Sequence, residues 1–455
     1  MPREQRTMFD ELGATGLRNT AGGRGRGSVD DEWNPRLKGK KRYKYQREIL
    51  DTSPIVGGMR EYIETLMSRP ETETEPNPEG MKVSPSVTLE AADYLDSVRD
   101  DMAHTWRAML HDCFTAIWHG HAELEIVLKR RLGPNPGPGL PTSRHNDGRV
   151  GWHKIVLRSQ DTIEDWEWSE DGSGDVVGVY QERQDGPEVF ISMNKLFHVR
   201  FRYDRNNPEP SGALRAIERS YRFGNRIEDF EGIAIQRDAG GTMVAKMPVS
   251  VFSAKAGTAG ALTRATMIEM AQLAGTDEFR GGGFPHATDP ATGQASGYDL
   301  ETLSSTQNIA AFDRPIVRHQ TRMGIGLLLQ WLFMAVENQG AMAAISAAQD
   351  VSQMAVGAKL AALFEQINRG PVRSLYRLTS FPEWAWASYK HGEISPLSPE
   401  SLVQSVATLV SAGMPVGFDQ EITNHLRQTL GLPLPDVGAR SAAQPARAGL
   451  KRSLV

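Results

Sequence analysis

Apolar residues fall at helical spacing at Ile55, Met59, Ile63 and Leu66, which predicts a folded part opening with a helix over Ile49–Met67. A second helical region spans Leu89–Trp118, with Leu95, Val98, Met102, Trp106, Met109 and Leu110 on one side. Between them, the Glu/Pro/Thr-rich stretch Arg69–Pro85 reads as a loop. The period then changes to two. Leu124, Ile126 and Leu128 alternate in a strand over Glu123–Arg131, and the Pro/Gly loop Gly133–Asp147 follows. Further strands are predicted at Val150–Leu157, Asp165–Trp168, Val176–Gln181, Glu188–Ser192 and Phe197–Tyr203, with turns at Asp171-Gly172 and Asp185-Gly186. Helices followed by a small sheet make an α+β unit.

The second half is dominated by long helices. Asn207-Pro208 and Pro210 set an extended turn, and a polar helix runs from Ser211 to about Arg237, about 35–40 Å at the usual rise. Its Arg215, Arg219, Arg222 and Arg226 are spaced four, three and four apart, so they share one face. A Gly- and Thr-rich stretch to Thr306 follows, with one helix candidate at Ala259–Ala274. Another long helical stretch, Asn308–Val336, carries Arg314, Arg318 and Arg322 on one face. Pro315 either opens that helix near Asp313 or kinks it. A small-residue connector, Glu337-Asn338-Gln339-Gly340-Ala341-Met342 through Ser346, leads into an Ala-rich helix, Ala347–Asn368. Val351, Met354, Ala358, Ala361 and Phe364 lie on one face of it. Two short amphipathic helices are predicted within Pro396–Pro433. Met1 to about Lys41 and Asp436–Val455 lack apolar periodicity and read as mobile arms. Arg24-Gly25-Arg26-Gly27 reads as part of a plain tail before it reads as a nucleic-acid contact.

Composition narrows the class. A chain of 455 residues holds about two to four structural units. The formal net charge of −5 does not announce a nucleic-acid binder. Cys113 is the only cysteine, so no internal disulfide and no cysteine metal site is expected, which fits synthesis in a reducing cytoplasm. The N-terminus shows no apolar signal region. The longest apolar run, Met323–Val336, is broken by Gln330 and is too short to span a membrane; it is expected to be a buried or subunit-facing helix.

Catalytic chemistry finds little support. His104, His111, His119 and His121 crowd one region, but no carboxylate stands at ligand spacing, and hydrogen-bonded histidines are the favoured reading. Glu167–Asp175 resembles a calcium loop without its terminal glutamate, since Gly178 stands there, so an acidic hairpin turn is favoured. Gly240-Gly241 and Gly281-Gly282-Gly283 are not followed by Lys-Ser or Lys-Thr and are no phosphate loops. No Gly-x-Ser-x-Gly elbow or His-Glu-x-x-His pair occurs. Catalytic residues, metal and cofactor are therefore all expected to be none. The arginine ribbons leave three readings open: pairing with acids of a neighbouring copy, facing DNA, or a solvated face with intrahelical pairs such as Glu218–Arg222.

The order of these segments resembles that of bacteriophage portal proteins. The resemblance rests on Asn207-Pro208, Ser211-Gly212-Ala213-Leu214-Arg215, Asp229-Phe230-Glu231 and Ile235-Gln236-Arg237-Asp238-Ala239-Gly240. It extends more weakly over Ile55–Pro435, through Ile55-Val56-Gly57-Gly58, Ile63-Glu64-Thr65-Leu66, Phe114–Arg130, and Arg158–Ile163 with Trp166. It implies an α+β portal fold: an N-terminal arm at 1–41, an α/β wing at 42–205 and 348–394, and stem helices at 206–238 and 307–335. A small α/β clip at 239–306, a tunnel loop at 336–347, a helical crown at 395–435 and a tail at 436–455 complete it. The resemblance further implies a ring, typically of twelve copies, at one capsid vertex of the virion, assembled in the bacterial cytoplasm. Double-stranded DNA would pass through its channel, with terminase, a head-tail adaptor, and capsid and scaffold proteins as partners and no membrane. Glu337–Ser346 would be the channel constriction. The competing expectations are a metal-dependent DNA-processing enzyme and another ring-forming virion protein such as an adaptor.

Overall fold

The computed structural model describes residues 32, 34–169, 175–183, 185–203, 207–240, 242–273, 281–286, 297–303, 310–333 and 342–394. The chain divides into a unit of residues 1–391 and a unit of residues 392–455. The predicted helices within Pro396–Pro433, both outer arms up to residue 31 and from 436, and the strands' Asp171-Gly172 turn lie outside the described residues.

Order begins earlier than periodicity suggests. A short 3₁₀ turn at Pro35–Leu37, capped by the Asn34 side chain, buries Leu37. Helix α1 (Lys41–Thr52) follows at once. Ser53 then breaks the chain and caps α2 (Pro54–Ser68) by accepting the Val56 N–H, with Pro54 in the first turn, where its missing N–H costs nothing. The supposed loop after α2 holds β1 (Thr72–Glu75) and α3 (Pro78–Val83). The predicted helical region Leu89–Trp118 is two helices, α4 (Pro85–Asp100) and α5 (Trp106–His119), because Thr105 caps a fresh start by accepting the Ala108 N–H.

Strands β2 (His121–Arg130) and β3 (Val150–Arg158) pair antiparallel, and β7 (Leu196–Arg200) joins the other edge of β2. A second antiparallel sheet is formed by β4 (Ile163–Trp168), β5 (Val176–Gln181) and β6 (Val189–Ser192), around a core of Ile163, Trp166, Trp168, Val179, Ile191 and Leu196.

Helix α6 (Ala213–Gly240) then runs for 28 residues. Next comes a small mixed unit: β8 (Thr242–Pro248), α7 (Val249–Phe252), α8 (Ala259–Leu273), β9 (Gly281–His286) and β10 (Asp299–Leu303). Strand β8 is central, parallel to β9 and antiparallel to β10. Helix α9 (Ala310–Gly326) follows with Pro315 inside it, so Pro315 does not open that helix.

The second rod is shorter than the predicted 307–335. Its end at Gly326 is a closed cap. The Leu329 N–H bonds the Gly324 carbonyl at 2.8 Å and the Leu328 N–H bonds the Ile325 carbonyl at 3.1 Å, the pair of bonds that satisfies orphan carbonyls at a helix end. The cap places Leu328 at φ 60, a left-handed conformation usually given to glycine. The expected helix over Met323–Val336 is therefore interrupted: Leu327 and Leu329 turn inward while Leu328 remains 53% exposed. Since that side chain contributes little burial, Leu328→Gly is expected to stabilise the fold by about 1 kcal/mol, read as a raised urea midpoint. A lowered midpoint would contradict the strain at this cap.

Helix α10 (Met342–Ile367) begins five residues before the predicted Ala347. Met342 and Ser346, placed by sequence in a loop, are thus helical, because Ala343 and Ala344 favour helix and Ile345 is buried. Its apolar face also needs correction. Ile345, Val356, Leu360, Leu363, Phe364 and Ile367 are buried, whereas Val351, Met354, Ala358 and Ala361 point outward, Met354 at 74% exposure. A π-helical turn (Asn368–Val372), α11 (Arg373–Tyr376) and β11 (Ser388–His391) complete the unit. Strand β11 pairs with β1 in the register Thr72↔His391 to Glu75↔Ser388. Tyr376 and Tyr389 donate hydrogen bonds to the Ala91 and Leu95 carbonyls of α4, so late and early segments share one core.

Candidate functional site

Helices α6 and α9 pack along each other in opposite directions. Near the start of α6, Ile217 lies against Gly326, where a β-carbon would come within 2.8 Å of its side chain. One turn or two further on, Gly224 faces His319, whose ring stacks on Phe223 at 6.0 Å. Burial, together with Arg318 and Arg322, lowers the His319 pKa and keeps it neutral between the helices.

The first arginine ribbon is partly satisfied within the chain. Arg215 forms a two-pronged pair with Glu32 at 2.6 and 3.0 Å. Arg222 approaches the buried carboxylate of Glu218 at 3.4 Å, the intrahelical pair. Arg219 and Arg226 lie over Phe223 and Phe230 at 5.8 and 5.6 Å. The second ribbon differs. Arg314, Arg318 and Arg322 are all exposed, and among the described residues none has an ion-pair partner. Glu228, Asp229 and Glu231 of α6 likewise have none. Interspersed with these charges are exposed apolar side chains, Phe230, Ile233 and Ile235 on α6 and Val317 and Ile325 on α9. Of the connector residues, Glu337, Asn338, Gln339, Gly340 and Ala341 lie outside the described residues, and the Met342 side chain is not described.

Among the described glycines, the two at the root of α6 leave the least room for a β-carbon, and sequence reading missed this crossing. Two backbone segments cross there at Gly120 and Gly212. Gly120 caps α5 at φ 106, and a β-carbon on it would overlap the Pro210 carbonyl oxygen. A β-carbon on Gly212 would overlap the Trp118 carbonyl oxygen and stand 2.6 Å from the Gly120 nitrogen. Beside the crossing, Glu209 is half-buried and accepts hydrogen bonds from Trp166 Nε1 at 2.8 Å and Arg42 Nη2 at 3.2 Å. Burial alone would raise the Glu209 pKa, but Arg42, His121 and Trp166 bring it below the usual carboxylate value. Arg200 donates to the Asn207 carbonyl at 2.9 Å, fixing the other side of the turn.

The network continues inward. Tyr43 Oη is 2.7 Å from His121 Nε2, and His121 Nδ1 is 2.6 Å from Glu123 Oε1. His198 Nδ1 approaches the same oxygen at 3.1 Å. Burial would raise the Glu123 pKa, yet His121 and His198 hold it to about 2. His119 bonds Gln46 at 2.8 Å, and burial, then the nearby His121 and Arg42, lowers its pKa to about 3. Elsewhere His104 bonds the Ile155 carbonyl, and His111 bonds Ser68. The four histidines singled out in the sequence thus serve hydrogen bonds, and among the described residues no three His, Cys, Asp or Glu side chains stand together to hold a metal ion. The only sequence signal for this network was the His121/Glu123 pair, two apart on one strand face. Among the described residues no helix is long and apolar enough to cross a membrane.

The family model described as portal protein of Mu bacteriophage matches residues 49–432. Among solved structures, a chain from the virion of a native gene transfer agent particle resembles this one with a TM-score of 0.51 and 13% identity, over 90% of this chain and 97% of that one. That likeness is one of fold alone. A chain from the neck of the native particle, computed with C12 symmetry, gives a TM-score of 0.47 and 12% identity, over 89% and 95%. No curated protein matches the chain.

Proposed function

This chain belongs to the portal protein family of Mu bacteriophage, and we propose that it builds the ring at one capsid vertex through which double-stranded DNA is packaged and ejected. In this reading α6 and α9 are the stem, and the β8–β10 unit between them is the clip. The α/β part around β2 and α10 is the wing, and residues 395–435 are the crown. Twelve copies close the ring. Terminase and then a head-tail adaptor dock on the clip, while capsid and scaffold proteins hold the wing. The mature ring is a virion component assembled in the bacterial cytoplasm.

One observation carries the proposal: the paired helices display opposite, uncompensated charges. Glu228, Asp229 and Glu231 on α6, and Arg314, Arg318 and Arg322 on α9, have no ion-pair partner among the described residues. A head-to-tail interface brings the acidic face of one copy to the basic face of the next, and repeated rotation closes the ring. The outward apolar stripe of α10, Val351, Met354, Ala358 and Ala361, supports the same reading, because a contiguous exposed apolar patch marks a surface that another chain covers. Pairing between copies also removes these arginines from DNA. Several free arginines on phosphate would bind tightly and stall sliding. The portal itself performs no bond chemistry; it supplies a rigid tube and a constriction from Glu337–Ser346 that many copies bring to one axis.

Sedimentation velocity and negative-stain images test this reading. Wild-type protein is expected as a ring with an axial hole, many times heavier than the 50.2 kDa chain. Arg314→Glu/Arg318→Glu/Arg322→Glu is expected to shift it to single chains. Adding Glu228→Arg/Asp229→Arg/Glu231→Arg restores the ring. A wild-type chain that stays monomeric under all salt conditions, or that cleaves DNA with a divalent metal, would overturn the proposal.

A further inference from the structure

An apolar groove on the α/β part has no role in this account. It lies between β2 and α11, encloses about 500 Å³, and is floored by buried Trp152 and Leu375. Leu128 and Leu378 stand at its mouth, 41% and 53% exposed. A space of this size and character is typical of sites that accept a few apolar side chains. Its rim is basic. Lys195 and Arg377 are exposed and have no ion-pair partner among the described residues. The acid in the lining, Glu125, is already neutralised by Arg158, whose Nε is 2.8 Å away. The groove therefore suits a short segment with apolar anchors and negative charge.

The chain contains one close at hand. Before residue 32 the apolar residues are sparse, except for Met8, Phe9 and Leu12, which enclose Asp10 and Glu11. We propose that the groove between β2 and α11 is the docking site of the chain's own Met8–Leu12 segment, with Phe9 and Leu12 as anchors and Asp10 and Glu11 against Lys195 and Arg377. About 20 residues separate Leu12 from Glu32, and extended chain covers roughly 65 Å over that length. Tethering holds the segment at an effective concentration in the millimolar range, so a modest intrinsic affinity fills the groove. Docking would cover Leu128 and Leu378 and fix the start of the chain against the fold. The proposal concerns contacts within one chain and stands whether or not the ring forms.

Cysteine cross-linking in the full-length chain tests it. Phe9→Cys/Leu378→Cys is expected to form, on mild oxidation, a link within one chain, seen as a reductant-sensitive mobility change and a cross-linked peptide joining the two positions. Cys113 is buried and does not compete. Absence of the link, or a link between two chains, overturns the assignment. Independently, Phe9→Asp/Leu12→Asp is expected to speed amide exchange about tenfold or more at residues 374–378, the change that a loss of about 1.4 kcal/mol of local protection produces. Phe9→Leu is expected to retain protection. Unchanged exchange in the double aspartate variant would show that the segment does not occupy the groove.

Discussion

Gly212→Ala is expected to abolish the stable fold, with loss of the cooperative unfolding transition in urea. The added β-carbon has nowhere to go. It would overlap the Trp118 carbonyl oxygen and crowd the Gly120 nitrogen at 2.6 Å, and both are backbone atoms that no rotamer change can move. Relief requires separating the end of α5 from the beginning of α6, which also opens the Glu209–Arg42 and Glu209–Trp166 bonds beside them. Steric overpacking typically costs about 1–3 kcal/mol, and losing the half-buried hydrogen bonds to the Glu209 carboxylate adds about 1.5–3 kcal/mol. Together these approach the roughly 5–15 kcal/mol by which a domain is stable at all. Gly120→Ala is expected to be as harmful, since it adds a φ of 106 to a clash with Pro210. Gly58→Ala is the control. It lies within α2 with nothing within 4 Å of its would-be β-carbon, so it should be neutral or stabilising by about 0.5–1 kcal/mol. A Gly212→Ala chain with a wild-type midpoint would refute the crossing.

Acid should loosen the same region in two stages. His119 is held to about 3 from an ordinary 6.5. Its folded form therefore resists a proton that the unfolded chain accepts, and stability falls as pH drops below 6.5. The full shift corresponds to roughly 4–5 kcal/mol, of which about 2–3 is lost by pH 4.5. His198, also lowered by burial, acts in the same direction. Glu123 is held at about 2 from 4.5. Its contribution is complete above 4.5 and is lost as pH falls from there towards 2. Urea midpoints between pH 8 and pH 4 should be flat at the upper end and decline below about 6.5. His119→Gln is expected to flatten the first decline while keeping a partner for Gln46. An unchanged slope in that variant would remove His119 as the cause.

Periodicity exposed the long polar α6, the strands on either side of the Pro/Gly loop, and the helix–insert–helix order, because each depends on residues close in sequence. The resemblance read from Asn207–Gly240 and spread over Ile55–Pro435 agrees with the family match at residues 49–432. What escaped depends on distant partners. Thr72–Glu75 has no apolar residue to mark it as a strand and becomes one through Ser388–His391, more than 300 positions away. The root of α6 joins Arg42, Glu123, His198 and Glu209, none of which has a local pattern that signals burial. Gly120 and Gly212 looked like ordinary helix punctuation until the two backbones were seen to touch. The stripe Val351–Ala361 was read as core because an outward apolar face and an inward one have the same spacing. The arginine ribbons, similarly, gave their face but not their partners.

The outward position of Met354 has a chemical consequence. It is the most exposed methionine among the described residues, and its thioether is open to peroxide. Oxidation there would place a polar sulfoxide in the middle of the Val351–Ala361 stripe, raising the cost of covering it. In the proposed ring, a copy covered early in its life would keep this sulfur reduced, and one left single in an oxidising medium would become progressively less fit to associate.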